Sequence, residues 1–275
     1  MNNFKKYFLQ IPSDRRCFHK YSTEYNHTVK HCIFGVPLIS SYGWITLKEL
    51  PRHIKGFHFL MGSSCEKLIK AFSNSCYPEN IEHLGIGDSS EGLLDNGLEY
   101  SKLVEILSNT HFPNLKCLEL GVWELFCNSH CLYGHLGNIT YILNNSPNLE
   151  KLCLYGSFKL DESISLSKLI NLTIVLDDEV TGVNGGNIKN ESMTLLLSSH
   201  FPSLKTINLD LKCDDDINEF ENILPNEFLS GLNFPNLKVL EISGKFVKGQ
   251  KQELINNLLK HKPNLKIFTK YMVEP

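Results

Sequence analysis

Five short segments of this chain repeat one pattern, and a repeat restricts a fold more than composition can. Phe112-Pro113-Asn114-Leu115-Lys116-Cys117-Leu118-Glu119-Leu120 returns as Ser146-Pro147-Asn148-Leu149-Glu150-Lys151-Leu152-Cys153-Leu154. It returns again as Phe201-Pro202-Ser203-Leu204-Lys205-Thr206-Ile207-Asn208-Leu209 and as Phe234-Pro235-Asn236-Leu237-Lys238-Val239-Leu240-Glu241-Ile242. Lys262-Pro263-Asn264-Leu265-Lys266-Ile267-Phe268 is the last copy. The common pattern is Pro-Asn-Leu-x-x-Leu-x-Leu, with Ser203 in place of the asparagine in one copy and Ile207, Ile242 or Phe268 at leucine positions. The apolar positions pack inward and the residues between them alternate outward, as a strand of period two requires. Proline removes an N–H donor and favours an extended residue ahead of it, which suits a helix-to-strand corner. One such strand cannot bury its apolar face alone, so the copies must stack side by side.

Aligning the first apolar position places copies at Ile54, Ile81, Leu115, Leu149, Leu169, Leu204, Leu237 and Leu265, with spacings of 27, 34, 34, 20, 35, 33 and 28 residues. The longer copies have room for a helix and a loop. The copy beginning at Leu149 is short and is expected to hold little or no helix.

With these residues the chain resembles a leucine-rich repeat protein of the ribonuclease-inhibitor-like, helix-bearing type, over residues 54–270. Phe34-Gly35-Val36-Pro37-Leu38 ahead of the repeats is similar to the short leading segment of small cytoplasmic bacterial leucine-rich repeat proteins. The resemblance implies an α/β solenoid, curved, with parallel strands on the concave face and helices on the convex face. Residues 1–50 do not fit the repeat and are expected to cap its open end, leaving residues 51–275 as one continuous solenoid. The consensus asparagine after each strand is mostly missing, so irregular turns are expected there.

Composition narrows the function classes. The formal net charge is −3, against the basic footprint that general nucleic-acid binding needs. No stretch approaches the roughly 20 apolar residues of a membrane helix. Lys5, Lys6, Asp14, Arg15 and Arg16 crowd the start, which is unlike a signal peptide. The 9 cysteines are odd in number and irregular in spacing, as expected of reduced thiols in a cytoplasmic protein.

Strand positions between the core leucines would line the concave face. They are His83, Gly85, Cys117, Glu119, Lys151, Cys153, Tyr155, Asn171, Thr173, Thr206, Asn208, Asp210, Val239, Glu241, Ile267, Thr269 and Tyr271. From this surface Tyr155, Lys151, Glu119, Thr206, Asn208, Asp210, Glu241 and Tyr271 are candidate partner-binding residues. Trp123, just beyond a strand, joins them as an anchor. Tyrosine and tryptophan offer large contact area with a polar tip. Asp177, Asp178 and Glu179, with Asp214, Asp215 and Asp216, follow strands and form a candidate acidic rim that would attract a basic partner.

One loop could carry metal chemistry. Cys127, His130, Cys131 and His135 bring two thiols and two imidazoles within nine residues, donor types that zinc takes, although not at a known finger spacing. Residues 122–137 are otherwise expected to be loop, and Asn190 is expected to cap the helix that follows it. No Gly-x-x-x-x-Gly-Lys-Ser/Thr, Gly-x-Ser-x-Gly or His-Glu-x-x-His pattern occurs. The sequence therefore points to a non-catalytic protein-binding module without a cofactor, a monomer when free, with another protein as partner. The resemblance suggests an inhibitor or immunity protein that blocks a partner enzyme. A substrate-recognition or scaffold subunit is the alternative, and a metalloprotein built on residues 127–135 is the alternative of another class.

Overall fold

The repeated segment folds as a tight turn that feeds a strand. The backbone N–H of Leu115 donates to the carbonyl of Phe112 at 3.3 Å, Leu149 to Ser146 at 3.2 Å, Leu204 to Phe201 at 3.1 Å, Leu237 to Phe234 at 3.1 Å and Leu265 to Lys262 at 3.0 Å. Proline is second in each turn, where its fixed φ suits a reversal and its missing N–H costs nothing. The asparagine that follows reaches backwards to the preceding copy. Asn114 Nδ2 donates to the carbonyl of Glu79 at 2.6 Å and Asn236 Nδ2 to that of Pro202 at 2.8 Å. Asn148 Nδ2 donates to the carbonyl of Pro113 at 2.5 Å while its Oδ1 accepts from Lys168 Nζ at 2.6 Å. Asn148→Ala is expected to lower stability by about 1–1.5 kcal/mol, the net worth of an intramolecular hydrogen bond. Urea denaturation measures it, and an unchanged midpoint would mean that the asparagine is not a clamp between copies.

These turns belong to a computed structural model that describes residues 17–19, 32–34, 45–46, 56–61, 65–88, 98–121, 134–177, 188–212, 223–230 and 232–273. Its strands are β1 (Cys17–His19), β2 (Cys32–Phe34), β3 (Ile45–Thr46), β4 (Gly56–Met61), β5 (His83–Asp88), β6 (Leu98–Glu99), β7 (Cys117–Leu120), β8 (Gly134–Asn138), β9 (Lys151–Lys159), β10 (Asn171–Asp177), β11 (Thr206–Lys212), β12 (Val239–Lys245) and β13 (Lys266–Val273). Its helices are α1 (Cys65–Ser73), α2 (Ser101–Ser108), α3 (Thr140–Asn144), α4 (Asn190–Leu197), α5 (Asn226–Leu229) and α6 (Gln250–His261).

The sheet follows the order β13-β12-β11-β10-β9-β7-β5-β4-β2-β1-β3. From β2 to β13 along this path every pairing is parallel, and among the described strands only β1 pairs antiparallel, with β2 and β3. The result is an α/β protein built on a parallel sheet, compatible with a solenoid-like arrangement. Leu84, Leu118, Leu152, Leu172, Ile207 and Leu240 stand opposite one another in register, and all are fully buried. Burying each such side chain contributes about 1.5–3 kcal/mol. Helix residues Leu103, Val104 and Leu107 of α2, and Leu254 with Leu258 of α6, are buried at helical spacing and join the same core. The phenylalanines ahead of the prolines complete it: Phe201 and Phe234 stack at 6.2 Å between ring centroids.

The short copy holds no helix between β9 and β10, and serines of the next copy serve its backbone. Ser192 Oγ accepts from the N–H of Leu160 at 3.1 Å, and Ser199 Oγ accepts from that of Ile164 at 2.9 Å. Both serines are buried. Buried backbone donors need such partners.

Three sequence expectations are corrected. Part of the expected loop over residues 122–137 is strand: β8 starts at Gly134, pairs with β6 and with the far half of β9, and forms a second small sheet. Asn190 is the first residue of α4 rather than its cap, and its Oδ1 accepts from the N–H of Ile223 at 3.2 Å. In β13 the register slips by one. Lys266 pairs with Val239, Ile267 with Leu240 and Phe268 with Glu241, so Ile267 and Thr269 take core-side positions and Phe268 the other side. Keeping the frame of the earlier copies would have set Lys270 at the position of Leu120 and Ile242, and burying an unpaired ammonium costs more than exposing a phenyl ring. Among the described residues no helix is long and apolar enough to cross a membrane.

Candidate functional site

The sheet face opposite the leucines holds the candidate site, and its character changes along the strand order. Period two puts His83 of β5, Cys117 and Glu119 of β7, and Lys151, Cys153 and Tyr155 of β9 on this face, followed by Thr173 and Val175 of β10. Parallel register then sets His83 opposite Cys117, Cys117 opposite Lys151, and Glu119 opposite Cys153.

At the β5–β9 end these groups are buried, with Lys151 half-buried, and Glu119 pairs with both Lys151 and His83. His83 is 1% exposed and Glu119 6%. Lys151 Nζ donates to Glu119 Oε1 at 2.7 Å, and His83 Nε2 lies 3.2 Å from Glu119 Oε2. Burial pushes the Glu119 carboxyl up, but the attraction of His83 and Lys151 outweighs it and holds the group well below the usual carboxylate range. Burial disfavours the Lys151 ammonium, yet Glu119 holds its proton more firmly than in an ordinary lysine. Burial and the neighbouring carboxylate push the Cys153 thiol up to about 12. Cys153 is therefore a protonated thiol at neutral pH, the opposite of an activated nucleophile.

His83, Cys117 and Glu119 offer one nitrogen, one sulfur and one oxygen within 4.8 Å of one another, and all three residues are buried. Tyr155 and Cys153 are buried together, with Val175 packed against them. Toward β13 the same face opens. Thr173, Thr206 and Asn208 are half-buried, Glu241 is exposed, and Phe268 is 47% exposed. Asp210 is half-buried and accepts a hydrogen bond from Ser243 Oγ across β11 and β12.

The structure thus spreads the expected partner-binding residues over two environments. Glu119, Lys151 and Tyr155 lie at the buried end, while Thr206, Asn208, Asp210 and Glu241 lie toward the open end. Tyr271 is in β13, beyond the register shift between Ile242 and Gly244, and Asp177 is the last residue of β10. Trp123, Asp178, Glu179, Asp214, Asp215 and Asp216 lie outside the described residues, as do Cys127, His130 and Cys131. His135 is in β8, exposed, with Nδ1 hydrogen-bonded to Ser157 Oγ at 2.6 Å. The grouping of His83 with Cys117 and Glu119 escaped the sequence reading, although a signal existed. Stacking the copies from Ile81, Leu115 and Leu149 puts these positions side by side.

No family model matches the sequence, and no curated protein matches it. Among solved structures the chain is similar to a Bacteroides fragilis protein whose crystal structure comes from the Northeast Structural Genomics Consortium. The identity is 17%, the TM-score 0.46, and the match covers 85% of this chain and 73% of that chain. A likeness at that level adds nothing to the reading of the site.

Proposed function

We propose that this chain is a non-catalytic protein-binding module, a leucine-rich repeat solenoid whose strand-lined face docks onto another protein and, as an inhibitor, blocks a partner enzyme. One observation carries the reading. The face opposite the leucines opens from a buried, internally paired end to an accessible end where Asn208, Glu241 and Phe268 adjoin across three neighbouring strands. An exposed aromatic ring among polar and acidic side chains has the makeup of an interface anchor with a polar surround. The inhibitor role rests on the family resemblance, and the parallel ladder is compatible with the solenoid-like fold that the resemblance implies.

The test is recovery of tagged protein from its native cell, beside Glu241→Lys and Phe268→Ala. Each substitution is expected to weaken the partner's binding by about 2 kcal/mol, roughly 30-fold. The partner's activity is then measured with and without this protein. Lost activity supports an inhibitor, whereas full activity in the bound state supports a scaffold. Binding that both variants leave unchanged overturns the assignment of this face.

A further inference from the structure

Independently of the partner, we propose that His83, Cys117 and Glu119 form a binding site for a divalent transition-metal ion of zinc's class, which clips β5 to β7. The backbone register makes the donor set. His83 stands directly opposite Cys117, and Glu119 follows Cys117 by two residues on the same face. Imidazole nitrogen, thiolate sulfur and carboxylate oxygen are the ligand types that zinc takes, whereas calcium and magnesium select oxygen.

The spacing fits after small movements. Bonds of about 2.0–2.3 Å put tetrahedral donors roughly 3.3–3.8 Å apart. The three donor atoms already lie within 4.8 Å of one another. Side-chain shifts of about an ångström therefore close the cluster on an ion. Glu119 is arranged for single-oxygen ligation. Lys151 holds Oε1 at 2.7 Å, and Oε2 is the oxygen on the His83 side, at 3.2 Å. A fixed outer oxygen orients the ligating one, which is the usual function of groups behind a metal ligand. The ion would enter as the Cys117 thiol releases its proton to solvent. The fourth tetrahedral position is left to water.

The experiment uses the full chain, stripped with a chelator and titrated with zinc against a chromophoric competitor, then with cobalt for its spectrum. The expected result is one equivalent bound, with a thiolate-to-cobalt charge-transfer band. Cys117→Ser is expected to abolish the band and weaken zinc by more than about 100-fold, beyond the loss from an outer-shell partner alone. Cys131→Ser and Cys76→Ser should bind like the parent, which separates this site from the 127–135 loop and from an exposed thiol. Should Cys117→Ser not fold, His83→Gln takes its place in the zinc titration, with the same expected loss. The proposal fails if the parent binds no stoichiometric ion, if the band survives in Cys117→Ser, if zinc affinity survives in His83→Gln, or if Cys131→Ser alone removes the metal.

Discussion

Lys151→Met is expected to destabilise the chelator-treated protein by about 3–5 kcal/mol, the cost of leaving a buried charge without its partner. The reason lies in the β7–β9 pairing. Lys151 and Glu119 are 18% and 8% exposed in their side chains, and their contact is 2.7 Å. Methionine keeps most of the aliphatic volume and removes the ammonium, so among the described residues the Glu119 carboxylate keeps the His83 imidazole at 3.2 Å and loses its lysine partner. The pair need not be stabilising relative to an uncharged alternative. Replacing both members commonly restores what removing one loses. The double variant Glu119→Gln with Lys151→Met is therefore expected to recover to within about 2 kcal/mol of the parent, and the cycle of four proteins isolates the coupling. Urea denaturation with matched slopes reads all four. A loss below about 1 kcal/mol in Lys151→Met would show that the carboxylate is solvated well enough without its partner.

Gly156→Ala is expected to cost more than about 3 kcal/mol, because steric overlap adds to the strain of an unfavourable backbone region. Gly156 is where β9 leaves the main sheet for the second one. Tyr155 still pairs with Val175, whereas Gly156 pairs with Gly134 of β8. Its φ is +123°, and an added Cβ would sit 2.0 Å from the carbonyl oxygen of Gly134. The neighbour is backbone and cannot rotate aside. Gly249→Ala provides the comparison, since φ is +87° there with nothing within 4 Å of the added atom. It should show the strain alone, about 1–3 kcal/mol. Hydrogen exchange would place the additional damage, with faster exchange over Gly134–Asn138 in Gly156→Ala and not in Gly249→Ala. Equal losses in the two variants would rule out the close approach of β8 and β9.

Much of the architecture was legible because the repeat encodes it twice, in period-two apolar positions and in the Pro-Asn-Leu turn. The strands after Leu115, Leu149, Leu204 and Leu237 follow directly, as does the helix-free copy, whose 20 residues leave no length for one. What escaped has physical reasons. The segment Gly134-His135-Leu136-Gly137-Asn138 contains no β-branched residue and two glycines, so nothing local marks it as strand. Partner strands and the buried Leu136 hold it instead. The slip of β13 leaves no mark in the local motif, which continues the earlier frame through Leu265.

The candidate site was half legible. Alternation put Glu119 and Lys151 on the correct face as outward residues. Their mutual pairing, and the addition of His83 and Cys117, come from the register of copies more than thirty residues apart. A reading of one copy at a time does not contain that information. Nor does it show that the face closes around Tyr155 and opens at Phe268.

Position-dependent photo-crosslinking to the copurifying partner tests whether the opening face is the binding surface. A photoreactive residue is placed at Asn208 or Glu241 on the open end, or at Gln252 on exposed α6 as the comparison. One crosslinked product of the same mass is expected from positions 208 and 241, and none from 252. A product from position 252 alone, with the partner still bound and positions 208 and 241 silent, would contradict the assignment of this face.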